Sequence, residues 1–266
     1  MKHQIESLES RKLLTASFSR TTGIVTVLGT DKPDVVAFAN NGATFSVVET
    51  TSGVTRTTNF DTARVRQIVV KLLKGSDTLT MGKVAIPALI QGGPGADRLS
   101  AGRGNDTIFG NGGDDYIFGS FGRDLIDGGS EGDDMLGGPD RDTIDYRTRT
   151  NPLVIGTGTL PDDGEAGEGD NVRTDVEVIL GGSGDDNISH GGPRPINLYG
   201  FAGNDTLTGG AAGDFLVGGE GADVMFGLGG DDVFDAQDGV RDTCNGGDGT
   251  DSMLTFDQND IRDFIP

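Results

Sequence analysis

Aspartate recurs through this chain at intervals close to nine residues, and carboxylates at a fixed spacing are first of all candidates for holding a cation. The first run is Asp97, Asp106, Asp115, Asp124, Asp134 and Asp142; the second is Asp186, Asp205, Asp214, Asp223, Asp232, Asp242 and Asp251. An extra residue before Asp134 and a missing one before Asp142 leave the phase of the first run intact. Two residues after each aspartate stands an apolar side chain: Leu99, Ile108, Ile117, Ile126, Leu136 and Ile144 in the first run. Ile188, Leu207, Leu216, Met225, Phe234, Cys244 and Met253 follow in the second, and Leu198 keeps the register in a unit that has no aspartate. Carboxylate oxygens suit a hard cation that accepts many oxygen ligands, which is calcium chemistry; magnesium dehydrates more reluctantly. No histidine or thiolate accompanies the aspartates, and this argues against zinc and copper.

Such a spacing does chemistry only if the chain brings the aspartates together. Each nine-residue unit reads as a six-residue turn followed by a three-residue strand. Glycine lets the turns take positive φ and approach one another closely. The strand directs its apolar residue inward. Two units make one coil, so Asp97 lies under Asp115, Asp106 under Asp124, Asp115 under Asp134 and Asp124 under Asp142. In the second run Asp205 pairs with Asp223, Asp214 with Asp232, Asp223 with Asp242 and Asp232 with Asp251. Carboxylates stacked in this way repel unless a cation lies between them. The fold class that follows is all-β, a parallel β-roll or β-solenoid in two blocks. One buried apolar side chain per unit contributes about 2–3 kcal/mol. Ordering nine residues costs on the order of 10 kcal/mol. The sequence therefore predicts a region that folds as it binds calcium.

The units GGPGADRLS (92–100), AGRGNDTIF (101–109), GNGGDDYIF (110–118) and GSFGRDLID (119–127) carry a resemblance, as do GFAGNDTLT, GGAAGDFLV, GGEGADVMF and GLGGDDVFD over residues 200–235. They resemble the RTX, or haemolysin-type, calcium-binding repeat family, whose pattern is G-G-x-G-x-D-x-U-x with U a large apolar residue. The resemblance implies several bound Ca²⁺ ions and a secreted or cell-surface protein. Leu8-Glu9-x-Arg11-x-Leu13-Leu14 is similar to a short N-terminal motif of the planctomycete extracellular protein family and points the same way.

The flanking segments divide the chain further. Residues 1–16 hold the export-type motif, 17–90 a β-rich capping segment, 91–145 the first block, 146–180 a spacer with an acidic loop, 181–255 the second block and 256–266 a tail. Residues 1–90 carry 11 Lys/Arg against 7 Asp/Glu, whereas residues 91–266 carry 10 Arg, no Lys and 35 Asp/Glu. Glycine splits in the same way, 6 against 40. Asp34 and Asp77 sit in what look like decayed units and read as structural, and the acidic loop DDGEAGEGDN reads as solvated. Cys244 reads as a small hydrophobe.

A formal net charge of -21 repels nucleic acid and anionic lipid. No apolar run is long enough to span a membrane. His3 and His190 are the only histidines, and no HExxH, GxSxG or P-loop pattern occurs, so no enzyme is expected. The expected role is structural or adhesive, with a cell-surface or polysaccharide ligand as partner. The alternative is a polysaccharide-binding or carbohydrate-active accessory module.

Overall fold

A computed structural model describes residues 14–264. The N-terminal motif up to Leu13, and His3 with it, lies outside the described residues. Among those described, the chain is β-structure with a single short 3-10 turn at Thr62–Arg64. It forms three sheets of twelve, eight and seven strands. No described helix is long and apolar enough to cross a membrane.

The twelve-stranded sheet runs the length of the molecule. It begins with Thr15–Ser19 antiparallel to Ile24–Leu28, and from there every pairing is parallel, through Gln67–Lys71 and Ala88–Pro94 and onward to Ser252–Phe256. The opposite wall is split at the spacer. An eight-stranded sheet covers the first part, from Val54–Asp61 to Asn171–Val172, and a seven-stranded sheet covers the second, from Gly164–Glu165 to Ile261–Phe264. The change of composition at residue 90 leaves the sheets unbroken. Gln67–Lys71 pairs with Ala88–Pro94, which pairs with Thr107–Gly112. Asp34–Asn40, Thr44–Thr51 and Val54–Asp61 form an antiparallel meander beside the coils.

The register is set by the apolar position. Ile108, Ile126, Ile144, Ile179, Leu198, Leu216 and Phe234 stand opposite one another on successive strands of the long sheet, each fully buried. Leu79, Leu99, Ile117, Met135 and Val172 face them from the first short sheet, and Ile155, Ile188, Leu207, Met225 and Cys244 from the second. A one-residue slip in any strand would turn its row outward, so burial of these side chains fixes the stacking. Cys244 is buried among them as a small hydrophobe.

One expectation is corrected here. The residue in register with Asp115 is Asp133, not Asp134, and the inward residue is Met135, not Leu136. The spacing is nine throughout the first run, with no insertion. Glu131 stands where most turns have glycine and takes the left-handed conformation itself, φ 78°. Asp134 begins the strand Asp134–Leu136 and points outward to pair with Arg173 at 2.7 Å.

Candidate metal centre

Each turn presents its aspartate to the coil beneath through one oxygen. The N–H of Asp34 donates to Asp77 Oδ1, that of Asp77 to Asp97, that of Asp97 to Asp115 and that of Asp115 to Asp133, all at 2.7–2.9 Å. Asp133 in turn donates to Asp170 Oδ1. The second ladder rises from Ala88 through Asp106, Asp124 and Asp142 to Glu177. In the second block one ladder runs from Leu153 through Asp186, Asp205, Asp223 and Asp242 to Asp260, and the other from Ile196 through Asp214 and Asp232 to Asp251. The expected stacking of aspartates is therefore present, and Oδ1 has a part the sequence did not reveal: it accepts the N–H of the residue one coil below.

The other oxygen separates the turns into two kinds. Oδ2 of Asp77, Asp97, Asp115, Asp124, Asp133 and Asp142 is buried and accepts no hydrogen bond, and so is Oδ2 of Asp205, Asp223, Asp232, Asp242 and Asp251. At Asp34, Asp106, Asp186 and Asp214, Oδ2 instead accepts a backbone N–H of its own turn, from Thr30, Gly102, Gly182 and Gly210 respectively. These four begin their ladders. The coil below Asp106, Asp186 and Asp214 offers Ala88, Leu153 and Ile196 where an aspartate would stand. The turns 101–106, 181–186 and 209–214 also contain no residue at positive φ. The turn at 110–115 has Asn111 at 81° and Gly113 at 109°.

The open turns form an oxygen-lined cradle. A Cβ placed on Gly110 would lie 2.4 Å from Asp115 Oδ2 and 2.1 Å from the carbonyl oxygen of Gly128 on the next coil. At Gly227 the same atom would meet Asp232 Oδ2 at 2.0 Å and the Gly246 carbonyl at 2.7 Å. Glycine is required because any side chain would fill the space onto which these oxygens converge.

Burial is the leading cause that raises the carboxyls above their usual range. Asp97 rises to about 6, Asp115 and Asp142 to about 7, and Asp124 and Asp133 to about 8. Hydrogen bonds from the backbone oppose this, while neighbouring carboxylates add to it: Asp106, Asp142 and Asp140 around Asp124, and Glu177, Asp175 and Asp140 around Asp142. Desolvated carboxylates with one oxygen unmatched are costly unless a cation joins them.

These residues fit calcium. The unpartnered atoms are hard oxygens, carboxylate and carbonyl together, and Ca²⁺ accepts such a mixture in flexible geometry. Among the described residues no three His, Cys, Asp or Glu side chains converge as a metal-binding group. The carbonyls must therefore complete the shell, and the donor set excludes thiolate or imidazole coordination. Bound Ca²⁺ supplies positive charge that offsets the stacked carboxylates. The chain supplies Asp Oδ2 and the turn carbonyls, with Asp Oδ1 bracing the coil below.

Residues 91–126, 115–144 and 198–239 match the sequence pattern of the RTX calcium-binding nonapeptide repeat (4 copies). These stretches are similar to calcium-binding repeats. No curated protein matches the chain. The ladders extend past the matched residues on both sides. Asp77, which lies in a decayed unit of the sequence and reads there as structural, has a buried Oδ2 without a donor like the open turns, 20 residues before Asp97.

Two expectations about the spacer and its neighbour can be placed. Asp163 and Asp170 of the acidic loop are buried rather than solvated. Asp163 accepts the N–H groups of Gly156 and Val172, and Asp170 accepts Asp133 N–H and the Tyr146 hydroxyl, the latter at 2.8 Å. Their oxygens are already matched by protein donors. His190 is buried, with Nδ1 2.8 Å from Thr157 Oγ1 and Nε2 3.2 Å from the Arg194 carbonyl. Burial lowers its pKa, so the ring is a neutral packing element.

Proposed function

We propose that this chain is an exported, extracellular calcium-binding repeat protein with a structural or adhesive role, whose two blocks fold when calcium fills the open turns. The row of buried Oδ2 atoms without a donor carries this reading. Each open turn keeps one buried oxygen that no protein donor matches and that a cation would satisfy, and the thin core cannot hold the coils against that cost. The reading assigns no catalysis. The repeat aspartates are taken up by ladders and cradles, and His190, the histidine among the described residues, is buried. Export is supported by the N-terminal motif and by a chemistry that draws on abundant calcium.

The test is far-UV circular dichroism of the full chain during a calcium titration, with magnesium at equal ionic strength as control. A cooperative gain of β-signal with calcium alone is expected. A spectrum already folded in chelator and unchanged by calcium overturns the reading.

One observation favours a carbohydrate ligand as the partner. Tyr199, Phe201 and Phe215 form a tilted aromatic cluster on the outer side of the long sheet, with ring centroids 6.0–6.2 Å apart and Phe201 40% exposed. Glu220, Gln237 and Asp238 stand beside it. Rings flanked by amide and carboxylate groups can stack on a sugar face and bind its hydroxyls. Retention of the calcium-loaded chain on immobilised polysaccharide, lost in Tyr199→Ala, supports this partner; no retention on any neutral or acidic polysaccharide discards it.

A further inference from the structure

The first block ends at the turn 137–142, and the next coil is built by the spacer, which contains no nonapeptide. Two hydrogen bonds nevertheless continue the pattern. One coil earlier, Asp124 N–H donates to Asp142 Oδ1 at 2.9 Å; here Asp142 N–H donates to Glu177 Oε2 at 2.9 Å. One coil earlier, Ser120 N–H donates to the carbonyl of Gly137 at 3.0 Å; here Gly138 N–H donates to Asp175 Oδ2 at 3.0 Å. Glu177 thus stands in the place of the next repeat aspartate, and the Asp175 carboxylate in the place of the first carbonyl of the next turn. That carbonyl is the one that lines the cradle at Gly110 and Gly227.

Two oxygens are left over at this junction. Asp142 is fully buried and its Oδ2 accepts no hydrogen bond, and Asp175 Oδ1 is likewise buried and without a donor. The turn below keeps the open conformation, with Gly138 at φ 112° and Asp140 at φ 86°.

We propose that Asp142 and Asp175 share a calcium site between the last turn of the first block and the spacer, with Glu177 as a positioning residue. It rests on the reading that the open turns bind calcium. It differs from the other sites in one respect: a charged carboxylate replaces a neutral carbonyl. Calcium loops gain affinity with the number of charged ligands. This site is accordingly the tightest in the molecule and couples the ion row to a segment that has no repeat sequence. Glu177 Oε1, on the outer side, lies 3.8 Å from Arg194, whose side chain is largely exposed; its inner oxygen braces Asp142 N–H.

The experiment is calcium binding to the full chain by isothermal titration calorimetry and equilibrium dialysis, for wild type, Asp175→Asn, Glu177→Gln and the exposed control Asp162→Asn. Asp175→Asn is expected to bind one ion fewer and to lose the tightest phase, Glu177→Gln to weaken that phase, and Asp162→Asn to match wild type. Wild-type binding with Asp175→Asn unchanged in number and affinity overturns this site alone. No calcium binding by wild type overturns the broader reading with it. Should Asp175→Asn fail to fold, hydrogen exchange on wild type decides. Calcium-induced protection of residues 138–142 and 175–178 at the lowest calcium concentrations supports the site, and protection arising there only after the other turns overturns it.

Discussion

The repeat turns and the spacer bury the same side chain and treat it in opposite ways. Asp133 and Asp142 are as buried as Asp163 and Asp170 in the spacer. In the acidic loop of the spacer both oxygens of these two carboxylates have protein donors: N–H groups of Gly156 and Val172 for Asp163, Asp133 N–H and the Tyr146 hydroxyl for Asp170. In the open repeat turns, Asp133 and Asp142 among them, one oxygen is braced and the other has no donor. A buried carboxylate with unmatched oxygen costs more than the net value of an ordinary hydrogen bond. The acidic loop is thus closed by its own groups, whereas the open turns leave an oxygen that the proposed calcium ions would match.

Removing calcium sets the two regions apart most sharply. In chelator the amides of both blocks are expected to lose nearly all protection from hydrogen exchange. Those of Gly156 and Val172, whose carboxylate partners need no ion, should exchange last. Equal and simultaneous exchange in both regions would break the comparison.

Acid should act next, and in opposite directions with and without the ion. Asp115 and Asp142 rise to about 7 and Asp124 and Asp133 to about 8, from 3.8, chiefly through burial. A raised carboxyl stabilises the fold in its protonated form. That contribution is complete below the unfolded value near 3.8 and is lost as pH rises through 7 to 8. In chelator the blocks should therefore gain β-signal as pH falls from 8 toward 5. Asp163 and Asp170 rise only to about 6, so the spacer's corresponding window lies lower. With calcium the sign reverses for the blocks, because protons compete with the ion and affinity falls in acid. Circular dichroism across pH, with and without chelator, reads both arms.

A pair of substitutions sharpens the contrast in saturating calcium. Gly227→Ala places a methyl 2.0 Å from Asp232 Oδ2 and 2.7 Å from the Gly246 carbonyl, so one ion should be lost, with overpacking of about 1–3 kcal/mol besides. Tyr146→Phe removes the donor to Asp170 Oδ2, at about 1–3 kcal/mol, and should leave the number of bound ions unchanged. Urea unfolding and calcium counting on both variants separate the effects. A Tyr146→Phe chain that loses ions would show that the spacer is not closed on its own.

Much of this was legible because the repeat is short and the aspartate and apolar positions lie in fixed phase. Ile108 and Ile126 could be placed opposite each other from spacing alone, and so could Asp106 and Asp124. Legibility failed where the deciding contact lies a coil away. AGRGND (101–106) and GGPGAD (92–97) look alike. Yet Asp106 is capped by Gly102 while Asp97 is not, because Ala88 lies beneath one and Asp77 beneath the other. Asp175 and Glu177 were hidden because they stand in for a turn without sharing its sequence.

The choice of Asp133 over Asp134 failed for a local reason, and it yields the smallest predicted effect. The repeat pattern expects glycine at residue 131, and the chain has Glu131 there with Gly132 after it, which imitates a one-residue insertion. Glu131 instead adopts φ 78° itself. A non-glycine residue in the left-handed region costs about 1–2 kcal/mol. Glycine relieves that strain and gives back about 0.5–1 kcal/mol in backbone entropy. Glu131 also adds its charge to those that disfavour ionised Asp115. Glu131→Gly should therefore stabilise the calcium-loaded chain by about 0.5 kcal/mol, a rise of about 1–2 °C in Tm for a chain of this size. Asp134→Asn, which disrupts the part-exposed pair with Arg173 and the long hydrogen bond from Asn171, should cost less than about 1 kcal/mol and no ion. Asp133→Asn should cost an ion. A drop in Tm for Glu131→Gly, or an ion lost with Asp134 rather than Asp133, would return the ladder to the other register and move every oxygen in that turn with it.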